Sequence, residues 1–146
     1  MEYKKNDIAK LERLLDRYKK MIAEIKSIDI EIEYIKQHPE GISAMIYEEK
    51  SSPTNKFNSS VENEVIAIDK KIKMLEEQKA QQVYWISKID NAINILNDTE
   101  QKVIKMKCFE GMEYKQIGQV LNINHNYACE VKRKAISKII DLVFVK

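Results

Sequence analysis

The sequence predicts an all-α fold: a long helical hairpin or coiled coil followed by a small helix-turn-helix domain. Two long stretches repeat apolar residues every three or four positions, the 146 residues include only 3 Gly and 2 Pro, and the pattern shifts to short helices after Leu96. Apolar residues at that spacing line one face of a helix. Scarce helix breakers let such helices run long. The expected division is 1–96 for the hairpin or oligomerisation and 97–146 for the helix-turn-helix.

The first helix is expected from about Asp7 to Gln37. Its stripe is Ile8, Leu11, Leu15, Tyr18, Ile22, Ile25, Ile28, Ile32 and Ile35. Its steps alternate between three and four, near the 3.5-residue period of a coiled-coil seam, with one residue missing at Ile25–Ile28. His38-Pro39 ends it, because a residue before proline is pushed out of helical geometry. Residues 39–60 are rich in turn and cap formers and read as a connector.

The second helix is expected to start at Ser59 or Ser60, with Ser59 and Glu62 as a capping box. Its stripe is Val61, Val65, Ile68, Ile72, Leu75, Lys79, Gln82, Ile86, Ile89, Ile93 and Leu96. Lys79 and Gln82 interrupt the seam, where polar residues set register at some cost in stability. Trp85 is expected to pack between the long helices. Helices of about 30 and 37 residues are roughly 45–55 Å long. They suit an antiparallel hairpin; the alternative is that each pairs with its copy in another chain. A narrow seam buries little, so a homo-oligomer is expected, with a dimer favoured.

Three short helices are expected next. Helix A spans about Thr99 to Glu110, opened by an Asn97/Glu100 capping box and closed by a left-handed Gly111. Helix B spans Tyr114 to Leu121, with Gly118 admitting a close neighbour. In the turn, Asn122 tolerates positive φ, Ile123 plugs the core and Asn124 caps helix C. Helix C spans His125 to Val143. Ala128, Val131, Ala135, Ile136, Ile139 and Ile140 face inward, whereas His125, Asn126, Tyr127, Cys129, Glu130 and Arg133 face outward.

The net charge of +2 is unremarkable, but its distribution is not. Residues 1–96 carry 16 basic and 17 acidic side chains, and residues 97–146 carry 9 and 6. Lys132, Arg133, Lys134 and Lys138 make helix C basic. Early polar groups facing base edges, with cations beside them for phosphates, are what a recognition helix needs. Double-stranded DNA is therefore the expected partner.

Other classes lack their signatures. There is no Gly-rich phosphate loop, no metal-spaced cluster and no nucleophile beside a base, so neither enzymatic activity nor a cofactor or metal is expected. Cys108 and Cys129 are too few for a disulfide framework and read as thiols of a reducing cytosol. Neither a signal peptide nor an 18-residue apolar run occurs, so no membrane association is expected.

The stretch Leu96 to Ile140 resembles region 4 of bacterial sigma factors. The resemblance rests on Leu96, Glu100, Val103-Ile104, Phe109, Gly111, Tyr114, Ile117-Gly118, Leu121, Ile123 and Lys134-Ala135-Ile136. The chain has Gly118 where that pattern has Ala, Asn122 where it has Gly, and Asn124 where it has Ser or Thr. The resemblance implies base contacts from His125, Asn126, Cys129 and Glu130, and phosphate contacts from Lys115, Gln116, Arg133 and Lys134. Sigma recognition helices carry Arg at some of these base-contact positions, so a standard promoter element is not the implied target. No segment resembles the promoter-melting region. The whole layout, with Pro53-Thr54-Asn55-Lys56-Phe57-Asn58 between the long helices and Trp85 to Ala92 ending the second, resembles phage regulators of the ArpU/RinA type. This implies a late-gene activator in the cytoplasm of a bacterial host, with RNA polymerase as a further candidate partner. A small terminase-like packaging subunit, or a coiled-coil adaptor on the polymerase, is the alternative.

Overall fold

The structure is a computed structural model that describes residues 2–39 and 60–146. The connector at 40–59 and the Ser59 cap lie outside the described residues. All described secondary structure is helical: α1 (Glu2–Asp16), α2 (Tyr18–Gln37), α3 (Ser60–Ile93), α4 (Asp98–Ile104), a π-helical turn (Lys105–Phe109), α5 (Tyr114–Leu121) and α6 (His125–Val143). The all-α expectation holds. No described helix is long and apolar enough to cross a membrane.

The single first helix expected over 7–37 is instead two helices, and it begins earlier. At the break, the Arg17 amide is shared between the carbonyls of Arg13 (3.1 Å) and Leu14 (3.2 Å). The local turn shifts the stripe: Met21 is 1% exposed, while Ile22, which the even period put inward, is only half-buried.

Contacts divide the chain into two compact units, Ala23–Val83 and Met1–Ile22 with Tyr84–Lys146. In the first, α2 and α3 pack antiparallel around Ile32, Ile35 and Leu75. Two polar pairs set the register. Gln82 Nε2 donates to Glu24 Oε2 at 2.6 Å, and Lys79 Nζ meets Asp29 Oδ1 at 2.6 Å. The polar residues of the seam are thus matched from the facing helix, which offsets their partial burial. Val65, expected in the stripe, is 54% exposed.

In the second unit α1 packs on α6. Leu11, Leu15, Ile89, Ile104 and Ile139 are fully buried in one cluster, with Trp85, Phe109 and Phe144 against it. Full burial of each large aliphatic side chain is worth about 1.5–3 kcal/mol. The helix-turn-helix segment 97–146 therefore shares its core with residues 1–22 and 84–96. Trp85, expected between the long helices, meets Phe144 edge to face with ring centroids 6.1 Å apart.

Candidate nucleic-acid interface

The caps of this segment form as expected. Asn97 Oδ1 accepts the Glu100 amide at 2.8 Å, and Glu100 Oε1 accepts the Asn97 amide at 3.0 Å. Each satisfies a donor that the first helical turn leaves open. Helix A, expected as a uniform α-helix to Glu110, instead ends in the π-helical turn. There the Glu110 amide reaches the Lys105 carbonyl five residues back, at 3.0 Å. The wider turn accommodates one extra residue, with Cys108 in the core and the Phe109 ring stacked on Tyr18 at 4.0 Å. Gly111 then reverses the chain at φ +67°.

The turn between α5 and α6 is set by three residues. Asn122 ends α5 in the left-handed region at φ 58° and ψ 47°. The Ile123 amide returns to the Gly118 carbonyl at 2.9 Å. Asn124 Oδ1 accepts the Asn126 amide at 2.8 Å and caps α6. Gly118 is needed here, because a Cβ on it would lie 2.6 Å from the Ile123 carbonyl oxygen. Below this turn Val103, Ile117, Ala128 and Val131 form a small buried cluster.

The inward residues expected on α6 are all buried, and Val143 joins them. Outward, His125, Asn126, Tyr127, Glu130, Arg133 and Lys134 are exposed. With 3.6 residues per turn, Asn126, Glu130, Arg133 and Ser137 follow one another along one open face. Cys129 flanks this face, and Arg133 and Ser137 border the same recess as it does. Cys129 is half-buried and lines that recess with Ile8, Glu12, Tyr114 and Lys132, with Arg133 Nη2 3.9 Å from its Sγ. Lys115 is exposed on the first turn of α5. Gln116 is exposed too, but its Oε1 accepts the Glu113 amide at 3.1 Å and so caps its own helix.

Not every cation of α6 faces outward to the same degree. Lys132 is half-buried with Nζ 3.5 Å from Glu12, and Lys138 Nζ lies 2.7 Å from Glu100. Burial alone would raise the Glu100 carboxyl. The Lys138 hydrogen bond, the Asn97 amide and the charges of Lys138 and Lys134 outweigh it and hold the group below its ordinary value. What sequence reasoning missed is the pairing of Lys107 with Tyr114, whose ring centre lies 4.5 Å from the Lys107 Nζ. The pair bridges the π-helical turn and the start of α5, so helical periodicity carries no signal for it. Burial pushes the Cys108 thiol up to about 11, which leaves it protonated at neutral pH.

Residues 7–141 match the family described as protein of unknown function (DUF722), so the chain belongs to that family. No curated protein and no solved structure shows significant similarity to it.

Proposed function

We propose that this DUF722 protein binds double-stranded DNA sequence-specifically and regulates transcription, reading the major groove with α6. The observation that carries the reading is the open face of Asn126, Glu130 and Arg133, held by a capped turn with a left-handed Asn122. Asn126 and Glu130 offer donors and acceptors that distinguish base pairs in the major groove, Arg133 beside them offers a cation for phosphate, and a rigid turn orients them. Arg133, Lys134 and Lys115 are the best-placed phosphate contacts. Lys132 and Lys138 are engaged with Glu12 and Glu100. Three phosphate contacts per protomer correspond to a salt slope of roughly −2.7.

The finer reading is a phage or prophage late-gene activator that acts as a homodimer in the bacterial cytoplasm. The resemblance of residues 96–140 to sigma region 4 supports it, as does the resemblance of the layout to ArpU/RinA regulators. The test is selection of bound fragments from a random duplex library, followed by salt-dependent affinity on the winner and on a scrambled control. A motif bound about 10³-fold or more tighter than the control supports a regulator. Equal, strongly salt-dependent binding of all sequences by a many-membered ring supports terminase-like packaging. No binding to duplex DNA sinks the DNA reading and leaves a polymerase adaptor.

A further inference from the structure

One side of α1 and the chain end after α6 form an open groove of about 580 Å³, separate from the exposed face of α6. Its floor is apolar: Leu14, Trp85, Phe144 and Val145. Trp85 and Phe144 are half-buried, and Val145 is 69% exposed. Its rim is cationic. Lys10 and Arg13 stand one turn apart on α1, while Leu11 and Leu15 between and beyond them point into the core. Among the described residues, the one acidic side chain of the lining, Asp7, lies 3.6 Å from Lys146 Nζ, so the described rim keeps a positive balance.

We propose that this groove docks an acidic protein segment bearing an apolar anchor. A Leu or Phe side chain would lie on Trp85 and Phe144, and flanking carboxylates would meet Lys10 and Arg13. Two observations select this occupant. Aromatic side chains beside arginine are characteristic of protein–protein contact sites, where an apolar centre is ringed by polar groups. The positive rim complements an acidic segment and disfavours a basic one. A phosphate backbone would use the cations but leave the apolar floor uncovered. The proposal stands independently of the DNA reading, because it uses other residues on other elements.

Trp85 is the single tryptophan of the chain, so its emission reports directly on the groove. The full-length protein is titrated with a synthetic peptide of Asp and Glu around one Phe, and with the same peptide carrying Gln at every acidic position. The expected result is a saturable change in Trp85 emission with the acidic peptide. Its Kd should rise roughly tenfold in Lys10→Glu/Arg13→Glu, as removal of partly exposed charge pairs would produce, while affinity for duplex DNA is unchanged. Val145→Asp, at an exposed chain end, should also weaken the peptide and tests the apolar half without risk to the core; circular dichroism verifies that both variants fold. The proposal is overturned by equal binding of the Gln peptide, by an unchanged Kd after charge reversal, or by no saturable response. It is also overturned if Trp85 emission instead follows protein concentration together with a doubled mass, which would make a second copy the occupant. A response of Trp85 to duplex DNA that the charge-reversed variant loses would equally overturn it, as a nucleic-acid surface.

Discussion

Replacing Gly118 with alanine sets two opposing effects against each other at one position. Alanine in a helix interior is favoured over glycine by about 1 kcal/mol. The structure opposes that gain, because the new Cβ would sit 2.6 Å from the Ile123 carbonyl oxygen and 3.4 Å from the His125 nitrogen. Both neighbours are backbone, so no side chain can rotate away. The same Ile123 residue donates its amide to the Gly118 carbonyl, which ties the turn to α5 at the point of collision. Overpacking that forces backbone to move costs typically about 1–3 kcal/mol. The net expectation is a loss of up to about 2 kcal/mol, with roughly 2–4 °C of Tm per kcal/mol for a chain of this size. DNA affinity should fall beyond the stability change, because the displaced atoms belong to the entry of α6. Gly111→Ala is the control. Among the described residues nothing lies within 4 Å of its Cβ, and its φ of +67° is the obstacle, so asparagine should restore much of the loss at 111 and none at 118. Thermal and urea unfolding followed by circular dichroism measure both. A Gly118→Ala protein more stable than the parent would refute the argument, since helix propensity would then have prevailed over the carbonyl contact.

Three further predictions follow from the same geometry. Arg133→Ala should weaken all DNA sequences alike and reduce the salt slope by roughly one unit, whereas Asn126→Ala should change preference at one base pair by about 1–3 kcal/mol; an unaltered motif after Asn126→Ala would mean that the helix is read in another register. Glu100 is held below its ordinary carboxylate value in the fold, so the stability it confers is complete above the unfolded carboxylate range and is lost as pH falls through the folded value. Glu100→Gln should be less stable at neutral pH and should show a smaller acid-dependent loss than the parent in urea titrations; parallel pH profiles would refute the assignment. Iodoacetamide should label half-buried Cys129 in the native protein and reach buried Cys108, whose thiol is pushed up to about 11, only on unfolding, as peptide mass spectrometry would reveal.

Sequence by itself determined those features that depend on neighbours a few positions apart. The capping box of Asn97 and Glu100, the cap at Asn124, the left-handed Asn122 and Gly111, and the buried face of α6 all arise within one or two helical turns. Short-range geometry of this kind is encoded by residue type and spacing. The open face of α6 was legible for the same reason, since it is the complement of the apolar stripe. What only the tertiary structure decided depends on partners far along the chain. Glu12 engages Lys132 across some 120 positions, and Glu100 engages Lys138, so two cations that a composition count assigns to DNA are engaged within the fold. Cys129 is turned toward α1, and Lys107 settles over Tyr114, through contacts that no period announces. The break at Arg17 and the π-helical turn belong with these, because each moves a stripe to suit a surface supplied elsewhere: Tyr18 and Phe109 stack only once both have formed. A local pattern specifies which face of a helix is apolar, and the packed core selects which other helix covers it.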